Sequence, residues 1–307
     1  MIAGIVRRHG ALAVLAVLLV VGGLSFSTFL TPYNLSNLAV QATFLAVVAL
    51  GMTLVIVSGG IDLSVGSTFA LAGVLAAYGS RWGLLVALLL PLAVSALIGL
   101  VQGALIARWR MAPFIVTLCG LLFARGLLQL LTKEGSTTYL VPQDSALRWL
   151  GQGAVLVVLA VLGYLAGGVL LQRTGFGMRL FAVGGNEDAA SLMGLPVART
   201  KVSVYVLSGL LAGLAGVMST AQLGSGVTVV GVGLELNAIA AVVIGGTMLT
   251  GGAGAVSGTL AGVALLAVIQ ELINQVGRFN SSMQAVVSGA VLIVVVVLQT
   301  LLSRARR

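Results

Sequence analysis

The sequence predicts an all-α integral membrane protein of about ten transmembrane or half-spanning helices. Three observations predict it. Apolar residues fill 59% of the 307 positions and charged residues only 7%, against about 25% charged in a soluble domain, so lipid rather than water must cover most of the surface. Apolar runs recur at close to the ~20 residues that cross a hydrocarbon core. The basic residues gather at the ends of those runs, where they act as topology signals.

Taken in order, the segments fall at about 11–30, 35–58, 64–80, 83–107, 112–132, 153–171, 202–222, 235–250, 253–273 and 284–302. Arg7 and Arg8 precede the first, as they would precede a signal peptide. No small-x-small cleavage site follows, only Ser25-Phe26-Ser27-Thr28-Phe29, so the segment reads as a retained helix. The third and eighth segments are short, flank Gly-rich breaks, and need not cross fully. With both termini cytoplasmic, Arg7, Arg8, Arg108, Arg110, Arg173, Arg179, Arg199, Lys201, Arg304, Arg306 and Arg307 lie inside. Arg81, Lys133, Arg148 and Arg278 lie outside and Arg125 lies within the fifth segment, an asymmetry of the expected sign. The 133–152 connection then faces outward. The 172–201 connection faces the cytoplasm and separates segments 1–6 from 7–10 within a single domain, 1–307.

An internal similarity joins the halves. Val55-Ile56-Val57-Ser58-Gly59-Gly60, followed by Val65-Gly66-Ser67-Thr68, resembles Val242-Val243-Ile244-Gly245-Gly246, followed by Val256-Ser257-Gly258-Thr259. Five segments per half would make the repeats inverted, as in many transporters. The 42 glycines, among them Gly209, Gly213, Gly216, Gly258 and Gly262, are a packing signal, because small residues let helices approach closely in lipid. Cys119, the one cysteine, is expected to be a small buried hydrophobe.

Three constellations carry polar chemistry. Ser58-Gly59-Gly60-Ile61-Asp62-Leu63-Ser64-Val65-Gly66 interrupts an apolar stretch: the glycines end one helix and Asp62 caps the next by accepting backbone N–H groups near Ser64 and Val65. An ionised Asp at membrane depth costs about 2.5–3.5 kcal/mol or more and needs a partner or water, so the break reads either as a cap or as a hinge lining a transport path. In the second, Asn186 through Gly194 reads as a short helix with Asn186 as N-cap, Glu187 and Asp188 at its positive start, Leu192 and Met193 as an apolar tip and Gly194 as its stop, before Pro196. It suits docking into another protein or lying at the headgroups. In the third, Glu235 and Asn237 stand at an extracellular helix start, as caps or as a gate.

Absences narrow the function. Neither lysine, Lys133 or Lys201, follows a glycine, so no phosphate-cradling loop is present and the chain does not itself hydrolyse ATP. His9 is the one histidine, metal-ligand clusters are missing, and only Asp62 is an embedded aspartate, so an enzyme is not expected. No basic patch is interleaved with aromatics, which excludes nucleic acid.

The run from Gly51 to Gly66, the run Ala182-Val183-Gly184-Gly185-Asn186 continuing to Gly194, and the run Glu235 to Gly246 together closely resemble the bacterial ABC-type monosaccharide permeases of the ribose/xylose/galactofuranose group. The resemblance extends from about Phe29 to Leu302. Met111-Ala112-Pro113-Phe114-Ile115-Val116-Thr117-Leu118 and Gly231-Val232-Gly233-Leu234-Glu235 are most similar to the galactofuranose permeases. Asn237 departs from the family, where many members carry Asp. The resemblance implies a type II importer fold in the inner membrane, with 172–201 as an ATPase-coupling loop, a second permease subunit (identical or not), a cytoplasmic ABC ATPase that binds ATP and Mg, and an extracytoplasmic sugar-binding protein. It implies no cofactor in this chain. Gly59, Gly60, Asp62, Ser64, Gly66, Glu235 and Asn237 would form the substrate pathway or hinge. Asn186, Glu187, Asp188, Leu192, Met193 and Gly194 would couple to the ATPase. A secondary transporter with inverted repeats is the alternative; it would carry more embedded ionisable groups for ion coupling than Asp62 and Arg125.

Overall fold

The computed structural model describes residues 2–277, together with Met283, Val286, Gly289, Ala290 and Ile293, and side chains from residue 11 onward. Nearly every expected segment is a helix. α1 (Ile2–Ser25) leads to α2 (Pro32–Val57), whose start is fixed by the Thr31 hydroxyl accepting from the Asn34 N–H and by Pro32 in the first turn. α3 (Val65–Gly79), α4 (Leu84–Arg108) and α5 (Pro113–Leu131) follow. A connection containing the two-residue strand β1 (Tyr139–Leu140) and the single turn α6 (Leu147–Leu150) leads to α7 (Gly153–Arg173). Two short helices, α8 (Gly175–Gly185) and α9 (Glu187–Leu192), then precede the long α10 (Val197–Leu223). Strand β2 (Ser225–Gly226), α11 (Leu234–Ile244) and α12 (Val256–Val276) complete the described elements. The tenth expected segment, 284–302, lies outside the described residues apart from four helical positions.

Among the described residues six helices are long and apolar enough to cross a membrane: α2, α4, α5, α7, α10 and α12. They differ in what surrounds them. The most apolar stretch of α2 is 78% buried within the protein and that of α4 only 22%. Thus α2, α10 and α12 lie mostly inside while α4, α5 and α7 leave large apolar side chains exposed on the outside. The eighth segment is shorter than expected. α11 stops at Ile244, because Gly246 turns the chain at φ 90°, and residues 245–255 form a turn rather than more helix. Cys119 corrects another expectation: it is exposed on the outer face of α5.

Helix contact runs through the small residues. A Cβ on Gly209 would lie 2.3 Å from the Ser95 carbonyl oxygen of α4, and one on Gly216 would lie 2.1 Å from the Phe69 oxygen of α3. Gly258 and Gly262 of α12 meet the Gly245 and Ala241 carbonyls at 2.1 and 2.0 Å in the same sense. A side chain at any of these would hold the backbones apart and forfeit the dispersion contact that binds helices in lipid. The Thr220 hydroxyl adds a bond to the Gly73 carbonyl at 2.9 Å. In the 133–152 connection, Arg148 donates to the Val141 and Pro142 carbonyls, and β1 pairs antiparallel with β2. That connection is therefore fastened to the end of α10.

Candidate functional site

The break between α2 and α3 is built by backbone chemistry. Ser58 caps α2, and Gly59 takes the left-handed conformation at φ 80°. The Gly59 N–H then reaches the Ile56 carbonyl at 2.9 Å, and the Gly60 N–H reaches the Val55 carbonyl at 3.0 Å. This is a Schellman termination, which satisfies carbonyls the helix leaves open. Gly60 is glycine for a different reason: a Cβ there would lie 2.4 Å from the Tyr205 phenol oxygen of α10.

Asp62 follows, 1% exposed. One carboxylate oxygen accepts from the Ser64 N–H at 3.0 Å and from the Ser64 hydroxyl at 2.6 Å. The other accepts from the Ser208 hydroxyl of α10 at 2.7 Å. Of the two expected backbone donors Ser64 is found and Val65 is not; Asp62 fixes the turn before α3 through Ser64, and α3 itself has no side-chain cap. The carboxylate has no cationic partner among the described residues; hydroxyl and amide donors hold it.

The Gln102 side chain of α4 closes the cluster, its amide 3.3 Å from the Ser64 hydroxyl. The Ser64 hydroxyl, which donates to Asp62, lies against the Gln102 Oε1, and the Gln102 Nε2 is buried with no partner among the described residues. Gly120 of α5 makes room, since a Cβ there would lie 1.9 Å from the amide. The Thr117 hydroxyl approaches the Ile61 carbonyl from the same helix at 3.3 Å. One buried polar knot therefore ties the break to α4, α5 and α10.

The third motif meets the first. The Glu235 carboxylate, in the first turn of α11, lies over Gly66, where a Cβ would be 2.2 Å from it. Gly231 and Gly66 pack backbone to backbone beside it. Arg125 gains partners that composition did not reveal: its guanidinium donates to the Thr228 carbonyl at 2.9 Å and the Val230 carbonyl at 3.4 Å, with Glu235 acting on it as the opposing charge. The five residues of the first motif and Glu235 are thus brought into one region. Asn237 is exposed on α11.

The helical part of the second motif, Asn186 to Gly194, contributes no side chain to that polar region. Asn186 caps α9 by accepting from the Ala189 N–H at 2.9 Å, Glu187 and Asp188 occupy the first turn, and Gly194 ends it at φ 78°. Glu187 pairs with Lys201 of α10. Leu192 is 90% and Met193 68% exposed, an apolar tip with nothing on it. Sequence reasoning did not single out Ser208, Gln102, Tyr205 or Gly120. Gln102 was the legible one, as an amide inside an apolar span.

A family model described as "Branched-chain amino acid transport system / permease component" matches residues 34–296. The ribose import permease protein RbsC of Escherichia coli (strain K12) is 39% identical over 302 residues, covering 96% of this chain and 94% of its own. The L-arabinose ABC transporter permease protein AraH of Azospirillum brasilense is 37% identical over 274 residues, 87% of this chain and 80% of its own. The fructose import permease protein FruG of Bifidobacterium longum (strain NCC 2705) is 33% identical over 306 residues, 94% and 89%. No solved structure matches the chain. The chain belongs to this transport-permease family; it is a multi-pass membrane permease and not an enzyme.

Proposed function

We propose that the chain is the permease subunit of an ATP-binding-cassette importer that moves a monosaccharide across the inner membrane. The observation that carries this is the match, 33–39% identical over most of the chain, to permeases named for ribose, arabinose and fructose. Three sugars among such relatives favour a sugar over the branched-chain amino acid of the family description. Within the sugars, the 111–118 and 231–235 runs favour galactofuranose, with another pentose or hexose as the alternative.

The rest of the assembly follows from that reading. The single domain, 1–307, carries about ten transmembrane or half-spanning helices in two inverted halves, with both termini cytoplasmic. The 172–201 segment docks on a cytoplasmic ABC ATPase, which binds the ATP and Mg; this chain holds no cofactor. A second permease subunit and an extracytoplasmic sugar-binding protein complete it. The apolar tip, Leu192 and Met193, fills a cleft on the ATPase, with Asn186, Glu187, Asp188 and Gly194 fixing the helix that presents it. Gly59, Gly60, Asp62, Ser64, Gly66, Glu235 and Asn237 form the hinge and lining of the pathway, which opens alternately to the two sides.

Uptake into proteoliposomes of the whole complex tests the class and the sugar together. ATP-dependent uptake of galactofuranose in preference to ribose, arabinose and fructose is expected. Uptake of leucine alone would overturn the sugar assignment, and uptake without ATP the importer. Replacing both Leu192 and Met193 with Asp would place charge in the cleft at a cost of several kcal/mol. The ATPase should then fail to co-purify while the permease keeps its abundance. For orientation, Cys119 is exposed and must first be replaced. Single cysteines at Ser136 and Ser191 should then label from opposite faces, and labelling of both from one face would refute the threading.

A further inference from the structure

Three segments far apart in sequence meet without any side chain between them. The first is the end of α2 and its cap, Val57 to Gly60. The second is the end of α8, Gly184 and Gly185. The third is the turn at 250–252. The Val57 carbonyl, left open by the end of α2, accepts from the Gly252 N–H at 2.9 Å. A Cβ on Gly184 would lie 1.8 Å from that same carbonyl oxygen and 2.7 Å from the Gly252 nitrogen. One on Gly251 would meet the Gly184 oxygen at 2.7 Å and the Gly59 Cα at 2.8 Å, and one on Gly252 would meet the Gly185 Cα at 2.7 Å. Gly59, Gly251 and Gly252 hold φ of 80°, 85° and 73°, which L side chains rarely adopt. Glycine is required for conformation at Gly59, for space at Gly184, and for both at Gly251 and Gly252.

Contact of this kind has a mechanical property. Where side chains intervene, a displacement is absorbed by rotamer changes. Backbone against backbone has no such slack, and close-packed interiors transmit strain. α8 is continuous with α9 through Asn186, which ends one helix and caps the next. On the other side, Gly59 lies three residues before Asp62 and its knot with α10.

We infer that the glycine joint carries displacement of α8 and α9 into the α2–α3 break, and that Gly184 is a positioning residue of the transport cycle. This rests on α9 being the ATPase contact. When the ATPase moves α9, α8 pushes directly on the Val57 carbonyl and on the cap that sets the angle between α2 and α3. The 250–252 turn moves with them, so α11 and α12 are driven by the same stroke.

The test uses the complete transporter in proteoliposomes with three variants. Gly184→Ala inserts a methyl into the joint. Two glycines inserted between Gly185 and Asn186 leave every joint contact in place but slacken the link to α9. Gly168→Ala on α7, outside both the joint and the 172–201 segment, is the control, since a Cβ there meets nothing within 4 Å. For Gly184→Ala and for the insertion, the ATPase should co-purify and hydrolysis persist within about twofold, while sugar uptake per ATP falls about tenfold or more. The control should transport normally. A fold defect alone would lower abundance and hydrolysis together and would not separate them. Should Gly184→Ala fail to accumulate, the insertion decides. Normal uptake per ATP in the insertion variant, or in an accumulating Gly184→Ala, would overturn the joint. Failure of the docking reading is seen separately, as normal co-purification of the Leu192, Met193 double variant, whose joint is untouched.

Discussion

The breaks after α2 and after α11 stop their helices with the same hydrogen bonds and continue differently. At the first, Gly59 and Gly60 reach back to Ile56 and Val55; at the second, Gly246 and Thr247 reach back to Val243 and Val242, at 2.9 and 3.2 Å. Gly59 and Gly246 both hold left-handed φ, 80° and 90°. Beyond the caps the likeness ends. The first break is fixed by a buried carboxylate whose three donors lie on its own turn and on α10. The second has no charge and turns on glycine, with the Gly251 N–H to the Met248 carbonyl and the Met248 N–H to the Ala253 carbonyl. The Thr247 hydroxyl there is buried with no partner. A repeated sequence thus specifies how a helix ends; the residues after it decide whether the break is locked by side chains or only by backbone.

Asp62→Leu should separate the two most sharply. It leaves the buried Ser64 and Ser208 donors unpaired, at about 1–3 kcal/mol each, so abundance and uptake should both collapse. Asp62→Asn retains one acceptor oxygen for Ser64, and the Ser208 hydroxyl can turn to accept from the new NH₂, so most of the expression should be kept. Normal transport by the Leu variant at normal abundance would mean that the carboxylate locks nothing. Ser208→Ala comes next. It removes one bond to a charged acceptor, worth about 1.5–3 kcal/mol, and should lower the melting temperature in detergent without abolishing insertion. Gly59→Ala and Gly246→Ala test the shared cap. Each forces a Cβ into left-handed backbone at about 1–2 kcal/mol, and the two losses should agree; a large difference would show that the caps are not equivalent. The smallest effect is expected at Thr247. Thr247→Val deletes an unpaired hydroxyl that costs about 1–3 kcal/mol to bury, so stability should hold or rise, in contrast to Ser208.

The cap was legible in Val55 to Gly60 because a helix stop is local: an apolar run, then glycine where φ must be positive. α9 was legible for the same reason, from Asn186 at its start to Gly194 at its end. Segment positions could be read from apolar length, though the 235–250 segment was read too long because Val242 to Ile244 runs into Gly-rich residues without a change in hydropathy. The partners of Asp62 were hidden. Ser208 lies in a helix whose neighbouring glycines read as packing, and nothing local marks one serine among several as the donor. Arg125 was equally opaque, because its partners are backbone carbonyls and backbone carbonyls have no sequence. The exposure of Cys119 depends on which face of α5 turns outward, and an apolar helix in lipid does not announce that face.

The bond between Asp62 and Ser208 spans 146 residues, and a ribosome works in one direction. At about 5–20 residues per second, the carboxylate is made roughly 7–30 s before the hydroxyl that will hold it. For that interval the nascent α2–α3 break carries an acid whose final neighbour does not yet exist. It must either stay hydrated at the insertion machinery or remain protonated. Placement of this break is therefore a late event in biogenesis, completed when α10 arrives and not when α2 and α3 enter the membrane.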